Sequence, residues 1–209
     1  MHNTENNFYI MKGRFYTIAV AAMMLAAIQA NAQEETSSQG HLKFKQTEIK
    51  GSQQSFFSEL KNKGFCYTGS DASHMAGQFA GQDVLVSIDR TCVSGTVYQV
   101  RATMKSRMGW NEVEADYRLF KNNLIKKYGD PVISKEKFIE PYRKGDGFEI
   151  KAAMNGKMEY ISCWLLPEGE ITIQIVSMKH DLVLLIRYTD SKGTQLQEDE
   201  KTELFLQDL

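Results

Sequence analysis

The sequence has no apolar run long enough to cross a bilayer as a helix: the run from Ile18 to Ile28 is eleven residues, where about 20 are needed. No cysteine precedes Cys66, so no lipid attachment point stands behind that run. Net charge is also slight, with 25 basic against 26 acidic residues, which leaves none of the basic excess that nucleic-acid binding requires. No C-x-x-C and no closely spaced histidine pair occurs, so the ligand spacing of a zinc site is missing. The Asp-x-Asp-x-Asp spacing of a calcium loop is missing too, and Gly145-Asp146-Gly147 reads as a turn.

What is there begins with an address. Lys12 and Arg14 precede the short apolar run, and Ala30-Asn31-Ala32 follows it with the small-x-small pattern that signal peptidase reads. The three parts predict a secretory signal over residues 1–32, cleaved after Ala32. Residues 1–10 carry neither lysine nor arginine and fit no part of such a signal, so Met11 reads as the start. The mature chain is then expected to be periplasmic or extracellular, with 23 basic and 25 acidic residues and no membrane span. Residues 33–40, "QEETSSQG", have no apolar period and read as a flexible leader.

Export places Cys66, Cys92 and Cys163 in an oxidising compartment, where three pairings and the absence of any disulfide all remain open. Cys163 alternates with Ile161 and Leu165 as on an apolar sheet face, which points to an inert buried thiol.

From His41 the chain reads as α+β. "HLKFKQTEI" alternates Leu42, Phe44 and Gln46 against Lys43 and Lys45, predicting a half-buried first strand. A short helix follows, with Ser52 as N-cap, Phe56, Phe57 and Leu60 at helical spacing, and Gly64 as its stop. Strands are expected over 65–69, 75–80, 84–89 and 96–104. Val84, Val86 and Ile88 then face one way, and Leu85, Ser87 and Asp89 the other.

The pattern starts again with Trp110, Val113, Tyr117, Phe120, Leu124 and Tyr128 on one stripe of a long helix. Asn111 and Glu114 stand in capping-box relation, Lys126 and Lys127 complement the helix dipole, and Gly129 with Pro131 ends the helix. Strands are predicted around 132–138, 148–154, 158–166, 171–178 and 182–189. The tail, 191–209, is acidic and reads as a terminal helix docking on the second half through Leu196, Leu204, Phe205 and Leu206.

Phe56 aligns with Phe120 at an offset of 64, Gly64 falls beside Gly129, and Val84–Asp89 falls on Ile171–Val176 at an offset of 87, the extra residues lying between Lys135 and Lys157. These matches read as two tandem copies of a helix-plus-antiparallel-sheet unit, 41–108 and 109–190.

The order of signal peptide, "HLKFK" strand, helix ending "KNKGF" and helix ending "KKYGDP" resembles a group of small secreted proteins of Bacteroidetes-type bacteria over essentially the whole mature chain. The duplicated unit is similar in architecture to the β-lactamase inhibitor protein, in which two tandem units form a concave sheet surface that grips its target. That likeness implies a BLIP-like fold and a protein-binding sheet face, and carries over no individual residue.

No catalytic, cofactor-binding or metal-ligating set emerges. His41, His74 and His180 are scattered, and Cys92 in "DRTCVSGT" lacks an evident histidine partner. With so many acidic residues, no particular pair of carboxylates is marked out for glycoside hydrolysis. What remains is surface. A helix covering one sheet face leaves the other to Ser87, Asp89, Gln99, Arg101, Thr103, Thr172, Gln174 and Arg187, of which Gln99, Arg101, Thr172, Gln174 and Arg187 form the candidate binding set. The other reading of such a face is a merely solvated one. Trp110 and Trp164 suit either a partner anchor or the core. The sequence thus favours a secreted, non-enzymatic module with a protein or envelope ligand. The alternatives are an envelope-acting hydrolase with a cleft between the units, and a structural homodimer.

Overall fold

The computed structural model describes residues 40–69, 73–104, 109–178 and 181–209. The signal, residues 33–39 of the leader, and His180 lie outside the described residues.

The opening segment forms a small hairpin, β1 (Lys43–Phe44) and β2 (Thr47–Glu48), rather than the single strand its alternation predicts. Lys45 and Gln46 both take positive φ, 47° and 62°, the conformation a tight two-residue hairpin turn demands. The alternation selects the buried side correctly for Leu42 and Phe44, in the core, and for exposed Lys43, but it fails at Gln46, which the turn carries out to solvent.

Helix α1 (Gln53–Asn62) starts where the N-cap predicts, with Ser52 Oγ accepting the Ser55 N–H at 3.2 Å. It buries Phe56, Phe57 and Leu60. Four antiparallel strands follow: β3 (Cys66–Tyr67), β4 (Met75–Phe79), β5 (Gln82–Arg90) and β6 (Val97–Met104). Helix α2 (Trp110–Tyr128) buries Trp110, Val113, Tyr117, Phe120 and Leu124 of the stripe read from the spacing, and leaves Tyr128, its last member, half-buried against the same core. Its start differs: Gly109 is the N-cap with no side-chain cap, so the Asn111–Glu114 capping box does not form. Glu114 instead accepts from Lys144 Nζ at 2.6 Å and Arg118 Nη2 at 2.8 Å.

After β7 (Ile133–Phe138), residues expected as a strand form helix α3 (Glu149–Met154). Glu-Ile-Lys-Ala-Ala-Met is rich in helix formers. Asp146 accepts the Phe148 N–H at 2.8 Å, and Glu149 accepts the Gly145 N–H at 2.7 Å, which fixes the turn that leads into the helix. Glu149 and Ala152, three apart, are its buried residues. Then come β8 (Met158–Leu166), β9 (Gly169–Met178), β10 (Asp181–Asp190) and helix α4 (Ser191–Gln207).

β3 to β10 make one eight-stranded sheet, in the order β3-β4-β5-β6-β10-β9-β8-β7, antiparallel throughout. α1 precedes β3–β6 and α2 precedes β7–β10, and the last strand of each run pairs with the other. Val84–Asp89 and Ile171–Val176 fall in β5 and β9, each the third strand after its helix. Val86, Val100, Ala102, Ile171, Ile173, Leu184 and Ile186 pack with Phe56, Leu60, Val113, Tyr117 and Phe120 in one core on the helix side. Trp110 and Trp164 belong to that core, Trp164 Nε1 donating to the Gly129 carbonyl at 2.9 Å, so neither is a surface anchor.

The tail is helical as expected but docks differently. Its buried residues are Gly193, Gln197 and Glu200, while Leu196, Leu204, Phe205 and Leu206 are exposed. Gly193 lies so close to Tyr98 on β6 that an added Cβ would come within 2.5 Å of it. Glu200 accepts the Val93 and Ser94 N–H groups of the β5–β6 turn at 2.6 and 3.1 Å. The helix is therefore held to β6 and the β5–β6 turn by a close backbone approach and a carboxylate, lies against β9 and β10 of the second run as well, and uses none of the four expected anchors.

Candidate binding face

In a strand, residues two apart share a face, and the pairing register then aligns them across the sheet. On the side away from the core, the central row runs Ser87–Arg101–Arg187–Thr172–Cys163–Ile133 through β5, β6, β10, β9, β8 and β7. A second row runs Cys66–Ala76–Leu85–Thr103–Leu185–Gln174–Ile161–Lys135 across all eight strands. A third joins Asp89, Gln99, Thr189, Glu170 and Leu165.

All five candidate residues thus meet on three adjacent strands, Gln99 and Arg101 on β6, Arg187 on β10, and Thr172 and Gln174 on β9. Four of them are half-buried. Thr172 is only 4% exposed, and its hydroxyl donates to Glu170, which leaves it as support rather than contact. Glu170, Thr189 and Leu185 complete the face and were not singled out from sequence. Each stands two positions from a residue that was, so extending the same period by one step along β9 and β10 would have found them.

Arg101 and Arg187 stand directly opposite one another on β6 and β10. Arg101 Nη2 donates to Asp89 Oδ1 at 2.6 Å, while its Nε is buried without a hydrogen-bond partner. Arg187 forms no hydrogen bond or ion pair among the described residues. Burial pulls its pKa below the ordinary guanidinium value, with Glu170 opposing that and Arg101 adding to it. Gln99 Nε2 donates to Thr189 Oγ1 at 3.0 Å beside this pair.

The described histidines are engaged elsewhere, and the thiols are unpaired. His41 Nδ1 lies 3.0 Å from Asp190, and His74 lies 2.6 Å from Ser73 Oγ. Cys66, Cys92 and Cys163 are all free thiols. Burial pushes the Cys163 thiol up to about 12, which suits an inert group. Glu136 and Glu140 line a shallow depression with Tyr142, Arg143 and Tyr160, but Glu136 is already held by Lys121 Nζ at 2.5 Å and Arg118 Nη2 at 3.4 Å. Among the described residues, no three His, Cys, Asp or Glu side chains converge as a metal site, and no helix is long and apolar enough to cross a membrane.

No family model matches the sequence, and no curated protein and no solved structure matches it.

Proposed function

We propose that the protein is exported, loses residues 1–32, and acts as a non-enzymatic binding module that holds a protein through the open face of its sheet. The observation that carries this is the central row: two half-buried arginines opposite one another on the middle strands, on the side away from the core. Like charges placed directly opposite in a sheet cost stability, and arginine is enriched where proteins meet. A face kept only for solvation has no use for that arrangement.

The chain also reads as two tandem helix-plus-four-strand units in a BLIP-like layout. Support comes from the mirrored strand order about the β6–β10 pair and from the equivalent places of Val84–Asp89 and Ile171–Val176. On this reading α3 is the insertion that distinguishes the second unit. The signal sequence and the resemblance to small secreted bacterial proteins support a periplasmic or extracellular site of action.

The test is recovery of a specific partner from the native envelope with the tagged full chain, as its own cell exports it, used as bait. Wild type should retain one defined protein, and Thr103→Trp, which fills the second row of the face, should lose it. A partner retained equally by both, or none at all, contradicts the reading. The intact mass of the recovered bait reports whether cleavage follows Ala32.

A further inference from the structure

The open face contains a guanidinium that carboxylates face but none grips among the described residues. Arg101 spends one nitrogen on Asp89 and leaves its Nε buried and unpaired, and Arg187 across from it has neither hydrogen bond nor ion pair among the described residues. A half-buried guanidinium whose N–H groups no carboxylate accepts is costly, and a second guanidinium opposite adds to the cost. A fold selected for stability alone would place an apolar side chain on β10 at this position, as it does at Leu185 two residues away. From this we infer that the central row is an anion subsite, and that the group it takes is the carboxylate of an aspartate or glutamate side chain on a partner protein.

The inference deepens the binding-face reading and rests on it. Two features select a single-charged carboxylate. Arg187 offers a planar fork that matches a carboxylate in two-point contact. The charged groups facing it are Arg101, Asp89 and Glu170, so the site without ligand has two positive and two negative groups. A dianionic phosphate brought to Arg187 would meet both carboxylates, whereas one carboxylate adds only a single charge. The surroundings select a polypeptide as its bearer. Leu85 and Leu165, 41% and 39% exposed, lie on the same face as the amide of Gln174 and the hydroxyl of Thr103. Apolar contacts mixed with neutral hydrogen-bonding groups around a desolvated arginine are what a protein interface centres on.

Random peptides displayed on phage, selected against the full chain as exported, provide the probe. Enriched peptides should share an aspartate or glutamate, and its replacement by the matching amide should weaken binding about 30-fold, the loss of one central contact. Arg187→Met should lose the same peptides while melting at or above the wild-type temperature, because it removes the opposed charge. Inorganic phosphate should compete no better than chloride at equal ionic strength.

Peptides without a shared acid, or binding unchanged in Arg187→Met, overturn the carboxylate subsite. If such peptides are still lost on Thr103→Trp, the binding face stands without it. Effective competition by phosphate overturns the choice of carboxylate. A fall in the melting temperature of Arg187→Met shows a structural arginine and overturns the inference, and failure to enrich any peptide counts against both readings.

Discussion

The Asp190 carboxylate accepts the Leu42 backbone N–H at 2.7 Å across 148 positions of sequence. The same side chain, fully buried, accepts the Gly193 N–H at 2.8 Å and lies 3.0 Å from His41 Nδ1. One residue thus ends the central strand β10, caps helix α4, and holds the first hairpin against both. Asp190→Ala leaves two buried N–H groups unpaired and removes a cap, and is expected to lower stability by about 3 kcal/mol. Asp190→Asn, which keeps one acceptor oxygen, should lose less. Urea unfolding of the three proteins measures both, and equal losses for Ala and Asn would contradict the capping role.

Glu114 predicts how stability responds to acid. Burial raises its pKa, but hydrogen bonds from Lys144 and Arg118 outweigh that and hold the carboxyl below its usual value of 4.5. A group depressed in the folded state stabilises above its unfolded pKa and stops doing so as pH falls through the folded value. Glu114→Gln should therefore be less stable than wild type at neutral pH, and the gap should shrink as the pH falls below 4.5 and through the lowered folded-state value. A gap independent of pH would mean that the ion pairs contribute nothing.

The thiols divide by burial. Cys66 and Cys92 are exposed, whereas Cys163 lies at 2% exposure with its thiol pushed up to about 12. A thiol reagent at mildly alkaline pH should label Cys66 and Cys92 in the native protein and reach Cys163 only after denaturation. Labelling of Cys163 at the rate of the others would show that the centre of the open face is loosely packed.

How far the sequence foretold the structure depended on what held each element. The stripe from Trp110 to Leu124 spans several turns, so only a helix satisfies it, and the alternation in β5 leaves Val84 and Val86 buried and Leu85 exposed as expected. Residues 148–154 are too few to separate the two periods, and what goes with the helix is a turn tied by Asp146 and Glu149 and the burial of Ala152 three residues after Glu149. Helix α4 misled because its buried side is Gly193, Gln197 and Glu200, so its leucines point to solvent and no hydrophobic pattern marks the contact. The residues of the open face were legible from period alone. That Arg101 stands opposite Arg187 was not, because the β6–β10 register joins positions 86 apart.

The central claim, that the open sheet face is where a partner binds, is tested most directly by site-specific photocrosslinking in the cell that makes the protein. A photoreactive amino acid in place of Gln174, on the open face, should yield one discrete crosslinked protein, and in place of Asn122, exposed on helix α2, none. Crosslinking from Asn122 alone, or none from Gln174, would contradict the account.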